Sequence, residues 1–174
     1  MAQLRLANEN NKALKIMIGD STREEWQVLH FVHFTHPDSL KRSDKPKGGC
    51  SETFENKCNV ANGSWLLPKL FNQGGYDAAQ VVVGSSQPKI LVRFAQVTRG
   101  PTHTLKLEYM KKLTDSLVAL GFEIEDVDIV FVVPAGKCES FKLGSTSGDL
   151  RWWNGKSNKL PLKHDIRVAG LKRS

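Results

Sequence analysis

Asp77-Ala-Ala-Gln-Val-Val-Val83, Gly-Ser-Ser-Gln-Pro at 84–88 and Lys89-Ile-Leu-Val-Arg-Phe-Ala-Gln-Val-Thr98 decide the fold. Two short runs rich in β-branched residues, split by a Gly/Ser/Pro turn, predict an antiparallel hairpin over 77–98. Arg-Gly-Pro-Thr at 99–102 breaks the second strand. From Thr104 to Leu120 the apolar residues Leu105, Tyr109, Leu113, Leu117 and Leu120 recur at helical spacing, and Gly121 stands where such a helix would be capped. Val127-Asp-Ile-Val-Phe-Val-Val133 is an almost continuous apolar run stopped by Pro134, the pattern of a strand buried on both faces. A strand, a helix and a strand in succession predict that 127–133 runs parallel to 89–98. The fold class is α/β, with a mixed central sheet and flanking helices.

Working outward, Trp65-Leu-Leu-Pro-Lys-Leu-Phe71 is a short apolar segment and 72–76 a turn. Residues 165–171, Asp-Ile-Arg-Val-Ala-Gly-Leu, predict an edge strand after a Gly/Ser-rich loop at 144–148 and the Trp152–Trp153 pair. Upstream, residues 37–49 read as a polar loop, 25–34 as an apolar stretch of no clear period, and 1–23 as an irregular lead-in. The chain therefore divides into a poorly defined N-terminal segment, 1–60, and one α/β domain, 61–174. No internal repeat is visible.

At 174 residues the chain is long enough to bury a core, and its 40% hydrophobic and 25% charged content is that of an ordinary soluble domain. No run of about 18 apolar residues marks a membrane span, and the N-terminus lacks the apolar centre of a signal peptide. Cys50, Cys58 and Cys138 are odd in number and form no CxxC pair, which fits a reducing compartment. The net charge of +7 favours polyanionic partners such as DNA, though plain solubility accounts for it equally.

The hairpin brings chemistry together. Gln96 and Thr98 share a strand face, and Asp77 heads the partner strand, so the three should meet at one sheet edge near the helix start. A carboxylate with amide and hydroxyl oxygens beside it suits a hard cation such as Mg2+, which would activate water. Polar strand ends facing solvent are the alternative reading.

The stretch from Tyr76 to Pro134 resembles the nuclease-type domain of crinkler effectors and retrotransposon-hotspot proteins. Gly75-Tyr-Asp-Ala78, Phe94-Ala-Gln-Val-Thr-Arg99, His103 with Leu105 and Lys106, and Val130-Phe-Val-Val-Pro134 carry the likeness. It is strong over some 60 residues, looser from Trp65 to Leu171, and absent before Trp65. The resemblance implies a restriction-endonuclease-like fold and a metal-dependent endodeoxyribonuclease site: Asp, then a strand with Asp/Glu-x-Lys. Asp77 matches the first metal ligand, Gln96 the acidic position and Thr98 the lysine. Both of the latter depart from the pattern, which weakens metal affinity and removes a cation from the site. The resemblance also implies secretion and action in a nucleus, often that of a host cell.

His103, between strand and helix, reads either as a phosphate donor or acid, or as a residue ordering the turn. Lys106 reads as a stand-in for the missing lysine or as a solvated helix residue. Glu24, Glu25 and Glu55 are the candidates for a preceding helix glutamate. His30, His33 and His36 with Cys50 and Cys58 match no structural zinc spacing. Arg93, Arg99, Lys106 and Lys111, with Lys89 and Lys112, form a basic band for a DNA backbone or a solvated face. Trp152 and Trp153 beside Arg151 read as core rather than base-stacking residues. Two functions follow: a DNA-directed effector with a diverged nuclease centre, or an inactive nuclease-fold module that binds DNA or a host protein.

Overall fold

The computed structural model describes residues 14–18, 22–26, 30–34, 64–68, 75–83, 88–150 and 166–171. The architecture is mixed α/β and mostly strand. In chain order the elements are β1 (Leu14–Ile18), β2 (Thr22–Trp26), β3 (His30–Phe34), β4 (Ser64–Pro68), β5 (Ala78–Val83), β6 (Lys89–Val97) and β7 (Thr102–Lys106). Helix α1 (Leu107–Ala119), β8 (Glu123–Pro134), a short 3-10 turn at Ala135–Lys137, β9 (Lys142–Ser147) and β10 (Arg167–Leu171) follow.

Five strands in the order β10-β8-β6-β5-β4 form a mixed sheet, and β1, β2 and β3 extend it to eight. The hairpin forms as the sequence predicts: β5 and β6 are antiparallel from Ala78↔Ala95 to Val83↔Ile90. β8 lies parallel to β6, from Lys89↔Glu123 to Val97↔Val132, with one register shift at Ile90/Leu91. Ile129 to Val133 of β8 are all buried, as the unbroken apolar run requires of a central strand.

Among the described residues one helix, α1, covers one face of the sheet, where flanking helices were expected. Leu107, Met110, Leu113 and Leu117 of α1 pack on Ile90, Val92 and Phe94 of β6 and on Ile129 and Phe131 of β8. Gly121, at φ 88°, ends the helix in a left-handed turn. Its N–H donates to Val118 O at 2.9 Å and the Phe122 N–H to Leu117 O at 3.1 Å, the paired bonds of a Schellman motif. No helix among the described residues is long and apolar enough to cross a membrane.

Four further expectations are corrected. The helix begins at Leu107 rather than Thr104, because Thr102-His-Thr-Leu-Lys106 is strand β7. Its two β-branched threonines suit an extended backbone, and it pairs in parallel with β9, so Gly144 to Ser147 are strand and not loop. Strand β10 is interior to the sheet, between β8 and β1, and not an edge. The lead-in is not irregular throughout: β1 and the start of β2 lie within it, and the two strands pair antiparallel. Residues 37–49 and the Trp152–Trp153 pair lie outside the described residues.

The connection from Trp26 to His30 spans at most about 14 Å of extended chain. It nonetheless joins β2 and β3, the two outermost strands of the sheet. A flat array would separate them by roughly 34 Å at about 4.8 Å per strand, so the sheet is strongly curled. The face away from α1 is buried too: Trp65, Ala78, Ala95, Val130 and Ala169 are each at most 1% exposed.

Candidate functional site

The polar edge forms where β5 begins and β6 ends. One step beyond Ala78↔Ala95 the antiparallel register sets Asp77 opposite Gln96. The Asp77 N–H donates to Ala95 O at 2.9 Å, and the Val97 N–H donates to Asp77 Oδ2 at 2.6 Å. Asp77 is therefore more than a solvated strand end: its carboxylate satisfies the last amide of β6. Gly75, at φ 84°, lets this turn press on the helix, since a Cβ there would lie 2.5 Å from Tyr109 Cβ.

Gln96 is 8% exposed. Its Nε2 faces His103 Nε2 across a long 3.5 Å contact. The Thr104 carbonyl can only accept, so His103 Nδ1 carries the proton in their 2.9 Å hydrogen bond. In the neutral ring Nε2 is then a lone-pair acceptor for the Gln96 amide. Gln96 Oε1 is buried and has no hydrogen-bond partner among the described residues. Thr98 Oγ1 accepts from the Gly100 N–H at 3.1 Å, bracing the turn after β6. Asp77, Gln96 and His103 thus gather at one edge with Thr98 beside them, and each has a local structural task.

A resident Mg2+ takes about six oxygens in near-octahedral array. Here one carboxylate and one orphaned amide oxygen are offered, and one carboxylate oxygen already holds an amide. Burial raises the Asp77 carboxyl above its ordinary value, against the opposing pull of the Val97 N–H and His103. That same desolvation works against the ionised form that a cation would bind. No set of three or more His, Cys, Asp or Glu converges among the described residues. The donor set does not fit a resident divalent cation. Glu24 and Glu25 fall on β2, whose side chains, like Glu55, Cys50 and Cys58, lie outside the described residues; so do those of His30 and His33 on β3, and His36.

The raised Asp77 pKa has a stability consequence. The folded state holds the proton more tightly, so folding loses stability as pH rises from the unfolded value through the folded one. Asp77→Asn cannot titrate and keeps an oxygen for the Val97 N–H. Its melting temperature should gain on the wild type's as pH rises from about 4 toward neutral. A wild type that gains on the variant over that range would contradict the assignment.

The basic residues do not form one band. Arg93 alternates away from Val92 and Phe94 and so projects from the sheet face opposite α1. There its Nε pairs with Asp128 Oδ2 at 2.7 Å and its Nη1 donates to Gln80 Oε1 at 3.3 Å. Arg167 of β10 reaches the same carboxylate, with Nε 2.9 Å from Oδ1 and Nη2 on Oδ2. Lys111 is tied to Asp115 at 2.6 Å, one turn along α1. Arg99 and Lys106 are exposed. The Gln80–Arg93–Asp128–Arg167 network was missed in the sequence, although Asp128 inside an apolar strand demands a partner. Compared with family models, curated proteins and solved structures, the chain matches none.

Proposed function

We propose that this chain is a DNA-binding module of restriction-endonuclease type, related to the crinkler effectors, whose cutting edge has been converted to structural hydrogen bonding. One observation carries it: where an acid and a lysine would work, the Gln96 amide is turned to His103 and the Thr98 hydroxyl to the Gly100 amide. The strand order β4-β5-β6-β8, with its antiparallel hairpin and parallel crossover through α1, supports the fold assignment. Net charge of +7 supports a polyanionic partner, and the resemblance to crinkler effectors is what points to a nucleus as the place of action.

The second reading, a weak metal-dependent nuclease, is favoured by Gln96 Oε1, which is buried beside Asp77 without a partner among the described residues. Plasmid DNA incubated with the protein, with and without Mg2+ or Mn2+, separates the two. The expected result is salt-sensitive binding with the plasmid intact under both ions. Nicking that needs the ion and disappears in Asp77→Ala would establish the second reading instead.

A further inference from the structure

We propose that duplex DNA docks on the turn after β6, its phosphates held by Arg99, Lys137 and Lys142. This rests on the DNA-binding reading above and names the surface that performs it. Arg99 lies about 40 residues before the two lysines, and one side-chain bond and one backbone bond bring the two segments together at the ends of β6 and β8. Lys137 Nζ donates to the Arg99 carbonyl at 2.8 Å. The Lys142 N–H donates to Pro101 O at 2.9 Å, and Lys142 sits opposite Thr102 where β9 meets β7. All three are exposed.

Charge accounting singles this cluster out. Arg93 and Arg167 share Asp128, and Lys111 is paired with Asp115. Lys106 lies at the far end of β7 from this turn, two residues before Glu108 and opposite Ser147. Lys137 gives its hydrogen bond to a carbonyl, which carries no formal charge. Neither Arg99 nor Lys142 has an ion-pair partner among the described residues, and Glu139 is the one acid between Lys137 and Lys142. Three cations against one carboxylate leave a local positive excess.

The surroundings select the partner. Among the described residues the only exposed large hydrophobics are Val97 and Val118. A peptide interface relies on buried aromatic or arginine anchors in pockets, and single strands bind by stacking bases on aromatic rings. Of the two valines, Val97, at the end of β6, is the one beside the turn, and among the described residues no exposed aromatic ring adjoins it to form a stacking platform. Long flexible cations on a rigid turn suit backbone phosphates, which are contacted without reading the bases.

The test is the salt dependence of duplex DNA affinity, measured by fluorescence anisotropy on the full chain. Each phosphate contact contributes about 0.9 to the slope of log affinity against log salt. The triple variant Arg99→Gln, Lys137→Gln, Lys142→Gln should lower that slope by about 2 to 3. Lys89→Gln, Lys111→Gln, Lys112→Gln removes the same three charges from +7 and should leave the slope nearly unchanged. Arg99→Lys, Lys137→Arg, Lys142→Arg keeps the charges and should bind as wild type, which separates lost contacts from a damaged fold. Equal slopes in the two neutralised triples would overturn the patch while leaving DNA binding standing. Wild-type protein that binds no duplex DNA at low salt would overturn both the patch and the DNA-binding reading. Tighter binding of duplex RNA, single strands or an acidic peptide than of duplex DNA would overturn the choice of partner.

Discussion

Asp128→Ala should destabilise the protein by about 2–4 kcal/mol. Asp128 is 15% exposed and accepts from Arg93 (19%) on β6 and Arg167 (27%) on β10, so one carboxylate ties three adjacent strands. Its removal leaves two guanidiniums gathered on a mostly buried sheet face without the charge that drew them there. Breaking a fully buried pair costs about 3–5 kcal/mol, and the partial exposure of both arginines lowers the figure somewhat. Urea unfolding should show a lower midpoint with an unchanged slope. The double variant Asp128→Leu, Arg93→Met should recover part of the loss, because it replaces one of the two stranded guanidiniums with apolar volume and leaves only Arg167 without the carboxylate. A stability within about 0.5 kcal/mol of wild type for Asp128→Ala would mean that the cluster is solvated like any surface pair.

The same cluster shows where the sequence could and could not be read. Hairpin, helix and parallel strand were legible because each rests on local chemistry: a turn at 84–88, a heptad-like run ending at Gly121, and an apolar run stopped by Pro134. The register followed from the hairpin, which is why Asp77 meets Gln96. Strands β7 and β9 were not legible, because neither has an apolar face of its own. Thr102-His-Thr-Leu-Lys106 and Lys142-Leu-Gly-Ser-Thr-Ser147 become strands only by pairing with each other across about 40 residues. Arg93 looked like a surface cation because its partner, Asp128, is 35 residues away on a strand read as an almost continuous apolar run. Lys137 and Lys142 were passed over for the same reason: only the pairing of β7 with β9 and the bond to the Arg99 carbonyl bring them beside Arg99.

Gln96→Glu should be the other substitution of large effect, and the direction of its rescue bears on descent. Gln96 is 8% exposed and stands opposite Asp77, itself a carboxyl that burial already biases toward the protonated form. A second carboxylate there is desolvated and faces a like charge, so the pair should hold a proton between them and resist full ionisation. At neutral pH the expected loss is about 2–3 kcal/mol, shrinking below about pH 5 as the pair becomes neutral. Two facing carboxylates are also a far better divalent site than one carboxylate and an amide. Mn2+ should therefore raise the melting temperature of the variant and not that of the wild type; a cation at a hundredfold its Kd adds about 2.7 kcal/mol. His103 offers the competing outcome: as an imidazolium at 3.5 Å from position 96 it can neutralise the new charge. A variant as stable as wild type at neutral pH and indifferent to Mn2+ would show that His103 has taken it. Such a result would remove the strongest physical support for an edge descended from a metal-dependent cutting centre.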